Sequence, residues 1–313
     1  MLPAFCRMNH TSPDLSAPIG VFDSGVGGLS VLRQLLRLLP HENIVYLADT
    51  AYAPYGERSS TQIEARSVQI ARYLIERQGI KALVVACNTA TAQAAQRLRA
   101  EFPHIPLIGI EPALKPAVAL TRTGHVGIIA THGTVQSAKF RQLVHDWSGH
   151  CHVHVQACNG LALAIENALD DAPETGRAAV RALCQQYVQT LQAQVRQSLS
   201  PVLAQTPAMP ANSGPEGGFG GMDVLVLGCT HYPFAGDILQ DLLGNAVQLI
   251  EPGEPVARQT LRLLQQHGLQ RHISAGDAAA QLTLLATARP SRLQQAAHNW
   301  LGLTNTATAV DID

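Results

Sequence analysis

Two cysteines lie far apart in the chain but in closely similar local sequences. Cys87 lies in VVACNT (84–89) and Cys229 in VLGCTHY (226–232). Each follows an apolar run and a small residue, and each precedes an amide or hydroxyl residue. A thiol, with an ordinary pKa near 8.5, can be tuned by its neighbours to exchange a proton near neutral pH. A thiolate and a thiol on opposite faces of a carbon atom would remove one proton and return another, which inverts a stereocentre.

The residues that follow the two cysteines suit a ligand with a carboxylate. Asn88, Thr89 and Thr230, together with backbone amides at the start of a helix, are suitable hydrogen-bond partners for such a group. His231 lies two residues after Cys229 and could tune or shuttle its proton. A single cysteine at a strand end is more often a packing residue, but two in the same polar context favour catalysis.

Other polar turns contribute candidate binding residues. In FDSGVGGLSVL (22–32), a strand ends at Asp23 and Ser24, and the glycines allow close approach of backbone to a ligand. This turn lacks the full dinucleotide fingerprint, and the GxxxxGK[ST] phosphate loop is absent from the chain. YLADTAYAPYGERS (46–59) is a second polar loop after a strand. The residues alone leave Glu166, in LALAIEN (161–167), as a solvated helix carboxylate.

Three nearby histidines could suggest a metal site by composition. His150, His152 and His154 flank Cys151. Alternate positions on a strand share one face, but this spacing supplies no fourth ligand, so a surface or core role is favoured over a metal site. The cysteines other than the pair, Cys151, Cys158 and Cys184, are interpreted as packing residues, and Cys6 as an exposed residue of a tail.

Short β-branched runs alternate with longer helix-like stretches along the chain. The predicted strands are 19–22, 43–48, 82–86, 106–110, 126–130, 153–157 and 223–228. The predicted helices are 31–39, 61–78, 91–102, 137–147 and 175–197. This alternation predicts an α/β fold with parallel sheets wrapped by helices.

The chain also contains an internal repeat. PIGVFDSGVGGLSVLRQL (18–35) and HVGIIATHGTVQSAKFRQL (125–143) share a strand, a Gly-containing turn and a helix, and each unit later reaches its cysteine. Ligands of open parallel sheets bind beyond the carboxyl ends of the strands. Two such lobes facing each other would place Cys87 and Cys229 on opposite walls of one cleft.

Composition excludes several classes of protein. The chain has 313 residues, a formal net charge of −1 and no Lys/Arg-rich block, so a small ligand is favoured over nucleic acid or a membrane surface. No apolar run has the roughly 18 residues that would span a bilayer, and residues 1–17 lack a secretory core. A cytoplasmic protein with reduced thiols is expected. Residues 200–221, rich in Pro, Gly and Ser, are predicted to be a flexible insertion.

Several motifs in register resemble those of the glutamate racemases, cofactor-independent members of the aspartate/glutamate racemase superfamily. The resemblance covers about residues 18–260. The motifs are GVFDSGVGGLSVL (20–32), YLADTAYAPYGERS (46–59), ALVVACNTATA (82–92), GIEPALKPA (109–117), IIATHGTVQSAKF (128–140) and LVLGCTHYP (225–233).

The resemblance implies interconversion of L- and D-glutamate, with Cys87 and Cys229 as the two bases and with no cofactor or metal. Residues that match the family's substrate-binding positions are Asp23, Ser24, Tyr55, Gly56, Asn88, Thr89, Thr134, Thr230 and His231. Asp23 would assist Cys87, and Glu166 with His231 would assist Cys229. The enzyme would be cytoplasmic, and its D-glutamate would be used for peptidoglycan synthesis. A homodimer, and activation by a cell-wall-precursor nucleotide, are also implied.

Two similar Rossmann-like α/β domains related by a pseudo-twofold axis follow from the repeat and the resemblance. The expected boundaries are a flexible extension at 1–17, a first domain of 18–112 plus about 252–313, and a second domain of 113–251. The sequence departs from the family's pattern at ACNGLALAIEN (157–167), where prolines are usual, and at Glu251, where an Asp is common. Both departures concern loop geometry or regulation and leave the cysteines unaffected.

Three alternatives stay open at this point. Within the superfamily, the substrate could be aspartate, a hydantoin or maleate, although EPALKPA and DSGVGG favour glutamate. A single cysteine could instead be the acyl-transfer nucleophile of an amidase, which would form a thioester and release ammonia. A two-lobed module could also bind glutamate without changing its chirality.

Overall fold

The computed structural model describes residues 14–203, 221–272 and 278–312. Its strands are β1 (Ile19–Asp23), β2 (Ile44–Ala48), β3 (Ala82–Val85), β4 (Leu107–Gly109), β5 (His125–Ala130), β6 (His152–Ala157), β7 (Val224–Gly228), β8 (Gln248–Ile250), β9 (Leu282–Ala286) and β10 (Ala307–Ala309). Its α-helices are α1 (Leu29–Leu38), α2 (Ser60–Gln78), α3 (Asn88–Glu101), α4 (Leu114–Leu120), α5 (His132–Val135), α6 (Ala138–Trp147), α7 (Leu161–Asn167), α8 (Pro173–Leu203), α9 (Gly236–Leu243), α10 (Gly253–Gln266) and α11 (Pro290–Leu301). Short 3₁₀ helices span Tyr55–Glu57 and Tyr232–Ala235.

The first sheet is parallel and has the strand order β10-β9-β2-β1-β3-β4 among the described residues. The central strand β1 is apolar up to its last residue, Asp23, and is wholly buried, as expected for a strand covered by helices on both faces. Helices α1, α10 and α11 pack on one face of this sheet, and α2 and α3 pack on the other. The carboxyl ends of β1 and β3 therefore meet at one edge, where Asp23 ends β1 and Cys87 follows β3.

The second sheet is also parallel, with the order β6-β5-β7-β8. Its central strands β5 and β7 are buried along their whole length. Helices α7, α8 and α9 cover one face of it, and α4 and α6 cover the other. Cys229 follows the carboxyl end of β7, which gives it the position in this sheet that Cys87 has in the first.

The predicted α/β architecture is confirmed, and each of the seven predicted strands forms a strand within one residue of the expected bounds. Three strands were missed: β8, β9 and β10. Helix α8 continues to Leu203, four residues into the predicted insertion, and Gly221 is again described. Most of that insertion and residues 1–13 of the predicted extension, including Cys6, lie outside the described residues. The exact domain boundaries stay a prediction.

Charged pairs hold parts of this framework together. Glu251, the departure noted in the sequence, pairs with Arg33 of α1 at 2.9 Å. Deeper in the first sheet's unit, the buried Lys81 pairs with the buried Glu42 at 2.5 Å.

No helix within 14–203, 221–272 and 278–312 combines the length and apolar character needed to cross a membrane.

Candidate active site

Cys87 lies between the end of β3 and the start of α3, where it caps the helix. Its Sγ accepts from the amide N–H of Ala90 at 3.4 Å, and its thiol donates to Oγ of Ser24 at 3.6 Å. The side chain is 5% exposed. Burial, followed by the negative charge of Asp23, raises the pKa of Cys87 to about 12. Cys87 is therefore a thiol that holds its proton at neutral pH.

Cys229 follows β7 and is paired with an imidazole. Its Sγ lies 3.7 Å from Nδ1 of His231, whose Nε2 lies 2.7 Å from Oε1 of Glu166. Burial alone would lower the pKa of His231, but the hydrogen bonds to Cys229 and Glu166 outweigh it and raise the pKa well above its usual value. His231 is therefore an imidazolium at neutral pH, with one N–H directed at each partner.

Glu166 is buried on α7 rather than solvated, so the structure corrects the interpretation made from its residue context alone. Oε1 accepts from the backbone N–H of Val26 at 3.1 Å as well as from His231. Burial would raise the pKa of this carboxyl, but the contacts of His231 and Val26 together with the nearby charge of Arg292 hold it below its usual value. The carboxylate therefore remains charged beside the imidazolium.

Asp23 lies behind Cys87, at the end of β1. Its Oδ2 accepts from the amides of Gly25 and Gly28 at 3.1 and 3.0 Å, and its Oδ1 accepts from Oγ1 of Thr230 at 3.3 Å. The side chain is fully buried, and burial raises its pKa to about 6. A carboxyl with this pKa can exist in either form close to neutral pH, which is where a proton-transfer site needs it.

Two glycines of the turn after β1 permit this packing. A Cβ at Gly25 would lie 2.0 Å from Oε1 of Glu166, and a Cβ at Gly27 would lie 2.3 Å from Nδ1 of His231. Any other residue would displace the carboxylate or the imidazole. The Gly-rich turn of the first repeat thus accommodates the side chains that support the cysteine of the second.

Polar side chains at the start of α3 face the turn after β5. Asn88 is buried, and neither its amide nitrogen nor its carbonyl oxygen has a partner among the described residues. Oγ1 of Thr89 lies 3.0 Å from that of Thr131 and 3.3 Å from that of Thr134. An unsatisfied buried amide is costly unless a ligand or water completes it, so Asn88 is suited to bind substrate.

The loop that contains Tyr55 and Gly56 is anchored by hydrogen bonds to the buried Asp49. The Tyr55 hydroxyl donates to Oδ2 of Asp49 at 2.6 Å, and Arg66 donates to both oxygens of the same carboxylate. The hydroxyl of Tyr55 is therefore engaged with Asp49. Gly56 lies against Thr131, which a Cβ would approach to 3.3 Å.

A cavity of about 380 Å³ joins these groups. Ten of the predicted residues line it: Ser24, Tyr55, Gly56, Cys87, Asn88, Thr89, Glu166, Cys229, Thr230 and His231. Asp23 and Thr134 do not line it but support residues that do. Among the described residues that line it, none is Arg or Lys, so an anionic substrate would be held by neutral donors, helix-start amides and the histidines.

Sequence reasoning missed several residues of the cavity wall, including Thr131, His132, Asn159 and Leu163. The internal repeat contained the signal for one of them, because Thr131 occupies the position after β5 that Ser24 occupies after β1. Cys158, interpreted as a packing residue, is 2% exposed but also lines the cavity. Within the described part of the chain, no group of three or more His, Cys, Asp or Glu side chains could hold a metal ion.

Known proteins resemble this chain over most of its length. A profile of the family described as Asp/Glu/Hydantoin racemase matches residues 19–195. The glutamate racemase of Ectopseudomonas mendocina is 46% identical over 269 residues, which cover 83% of this chain and 90% of that protein. The chain therefore belongs to the Asp/Glu/hydantoin racemase family, a class of isomerases. Within that class, its relatives assign it to the glutamate racemases.

Solved structures support the same assignment. The crystal structure of glutamate racemase isoform RacE1 from Bacillus anthracis is 32% identical and has a TM-score of 0.74, covering 95% of this chain and 98% of its own. Glutamate racemase from Escherichia coli, in complex with L-glutamate and the activator UDP-MurNAc-ala, is 28% identical with a TM-score of 0.69, covering 93% and 96%. The fold with two α/β units is therefore that of the glutamate racemases.

Proposed function

We propose that this racemase interconverts L- and D-glutamate with Cys87 and Cys229 as two bases acting on opposite faces of the α-carbon. The observation that carries the proposal is the equivalent placement of the two thiols. Each follows the carboxyl end of a parallel strand, the two strands belong to different sheets, and both sulfurs line one cavity. Each thiol also has its own titratable partner, Asp23 for Cys87 and His231 for Cys229.

The proton inventory balances with one thiolate and one thiol. The thiolate takes the α-proton and becomes a thiol, leaving the electron pair of the broken C–H bond on the α-carbon. The second thiol donates its proton to the opposite face of that carbon and becomes the thiolate. The reverse reaction restores the starting state, so no external acid, base or oxidant is consumed.

The two sulfurs lie in different environments. The buried Cys87, next to the Asp23 carboxyl, retains its proton at neutral pH. The His231 imidazolium provides a positive charge and an N–H donor at the sulfur of Cys229. Removal of the α-proton also requires stabilisation of the charge that develops in the transition state, and each tenfold gain in rate needs about 1.4 kcal/mol of it. The neutral donors Asn88, Thr89 and Thr230 would contribute to this stabilisation by binding the substrate's carboxylates.

The biological role that we propose is the supply of D-glutamate for peptidoglycan. Thiols that exchange protons must stay reduced, so we place the reaction in the cytoplasm. The activator UDP-MurNAc-ala in the Escherichia coli structure supports a test of the same nucleotide on this enzyme. An increase in kcat on its addition is expected. The homodimer stays a prediction.

The decisive experiment follows L-glutamate in deuterium oxide by circular dichroism and mass spectrometry. Loss of the optical signal together with entry of one deuterium at the α-carbon is expected. An unchanged signal without exchange would contradict the proposal, and L-aspartate would then be tested as substrate. Release of ammonia and a protein thioester would instead indicate an amidase.

A further inference from the structure

Glu166 is held from both sides, and one of its partners comes from a distant part of the chain. Its Oε1 is occupied by Val26 and His231. Its Oε2 faces Nη1 of Arg292 at 3.5 Å, an ion pair between side chains that are 6% and 9% exposed. Arg292 lies on α11, between β9 and β10 of the first sheet, whereas Glu166 lies on α7 after β6 of the second. The side chain of Arg292 thus extends from the first α/β unit to Glu166 in the second.

Arg292 is fixed in place by further contacts of its helix. Its Nη2 pairs with the Asp170 carboxylate, just beyond α7. One turn along α11, Nε2 of Gln295 donates to the carbonyl of Leu169 at 2.7 Å. At the far end of the helix, the ring of Trp300 stacks on Phe234 with centroids 3.8 Å apart. The first turn of α11 therefore delivers a buried guanidinium to the carboxylate that supports His231.

We propose that Arg292 is a positioning residue of the racemase, which keeps Glu166 ionised and oriented so that Glu166 holds the His231 imidazolium against Cys229. This inference rests on the proposed role of the His231–Glu166 pair. The four side chains that contact one another in turn have alternating charges: positive at His231, negative at Glu166, positive at Arg292 and negative at Asp170. Asp23 is the other acidic group whose charge reaches Glu166.

Removal of the guanidinium leaves a buried carboxylate with one positive neighbour instead of two. Burial then favours protonation of Glu166, which would lose its hold on the imidazolium. Arg292 does not line the cavity, so substrate binding should be unaffected. The expected signature is a lower kcat at nearly constant KM, because only the proton-transfer step is impaired.

The first test compares Arg292→Gln and Arg292→Lys with the parent enzyme in both reaction directions. For Arg292→Gln we expect kcat to fall roughly tenfold or more, which corresponds to about 1.4 kcal/mol or more of lost transition-state stabilisation. KM should change by less than about twofold. The acid limb of kcat should move to higher pH, because a carboxyl that must be ionised would titrate at higher pH. Arg292→Lys, which keeps the charge, should recover part of the loss.

Gln295→Ala is the matched control, because it removes a docking contact of the same helix without touching Glu166. It should keep the parent pH profile. An Arg292→Gln enzyme with parental kcat and pH profile would overturn the inference, as would an equal loss in the Gln295→Ala enzyme. If Arg292→Gln does not fold, Arg292→Met takes its place, because it fills similar space without a charge, and a parental kcat and acid limb in that variant would overturn the inference.

The same substitutions in a Glu166→Gln background test whether Arg292 acts through Glu166. If it does, Arg292→Gln should have little further effect on kcat in that background. A full additional loss would show that Arg292 acts by another route. A fully active Glu166→Gln enzyme would contradict the proposed support of Cys229 itself, whereas an impaired Glu166→Gln enzyme with an unaffected Arg292→Gln enzyme would contradict only the inference about Arg292.

Discussion

Oγ1 of Thr230 donates to Oδ1 of Asp23 at 3.3 Å, and this hydrogen bond joins the surroundings of the two cysteines. Thr230 directly follows Cys229 beyond β7 of the second sheet, and Asp23 ends the first sheet's central strand beside Cys87. Ser30 adds a second link, because its hydroxyl donates to the carbonyl of Thr230 at 2.8 Å. A change at one cysteine's support should therefore also affect the other thiol.

Asp23→Asn should stabilise the fold at neutral pH while impairing catalysis. Burial raises the pKa of Asp23 from 3.8 to about 6, so its ionisation opposes folding. At 1.36 kcal/mol per pKa unit, the cost at neutral pH is at most about 3 kcal/mol. Below about pH 4 the carboxyl is protonated in both states and the cost is absent. The parent should therefore lose stability, relative to the variant, as pH rises from about 4 to above 6.

The measurement is the denaturant midpoint of both proteins across this pH range, with racemisation followed in parallel. We expect the midpoints to diverge in favour of Asp23→Asn as pH rises, and kcat to fall at least tenfold, since a neutral amide cannot assist Cys87. A difference between the two midpoints that does not grow as pH rises would contradict the raised pKa.

Replacement of either cysteine should separate proton exchange from inversion. Cys87→Ser and Cys229→Ser should each retain less than about a tenth of the racemase activity, because a serine hydroxyl is a poor base at neutral pH. The intact thiol of each variant could still remove the α-proton of one enantiomer and return a deuteron to the same face. We therefore expect residual exchange with opposite enantiomer preference in the two variants.

Deuterium uptake by L- and D-glutamate, measured separately by mass spectrometry, checks this prediction. Cys151→Ser is the control, because Cys151 lies just before β6, at the opposite end of the strands from the cavity, and should retain normal activity. Racemisation above about a tenth of the parent rate in either serine variant would contradict the two-thiol mechanism.

The sequence was sufficient to predict the two sheets because their central strands are continuous apolar runs bounded by turns. Strands β8 and β10 have three residues each and are partly exposed, so they lack that pattern. Strand β9 reads LTLLA and has a recognisable composition, but it lies in the final stretch of the chain, outside the repeat that guided the prediction.

For the site, local context predicted residues that stand next to the cysteines and missed those brought in by folding. Asn88 and His231 follow a cysteine within two residues, so their position after the carboxyl end of a predicted strand was sufficient to find them. The burial of Glu166 was not predictable from its helix, since it depends on Val26 and His231 from other segments. The contact of Arg292 has no local signal, because it depends on how α11 docks.

Tyr55→Phe should affect the loop that contains Tyr55 and Gly56 through Asp49 and not through the cavity. The hydroxyl donates to the buried Asp49 rather than to the cavity, and its loss leaves that carboxylate with Arg66 and Thr287. We expect a loss of stability of about 1 kcal/mol or more. KM for glutamate should rise only a few-fold with kcat nearly unchanged. Thermal unfolding and steady-state kinetics test this, and a large fall in kcat would show a direct catalytic role.

Gly27→Ala should impair catalysis through a single added methyl group. Its Cβ would lie 2.3 Å from Nδ1 and 2.5 Å from Cε1 of His231, closer than real Cβ contacts allow, so the imidazole must move away from Cys229. We expect kcat to fall by at least tenfold, as for loss of a general acid–base group. Gly236→Ala is the matched control, because a Cβ there meets nothing within 4 Å and the backbone needs no positive φ. If Gly27→Ala kept the parental kcat, contact between His231 and Cys229 would not be needed for turnover, and the proposed support of that thiol would be wrong.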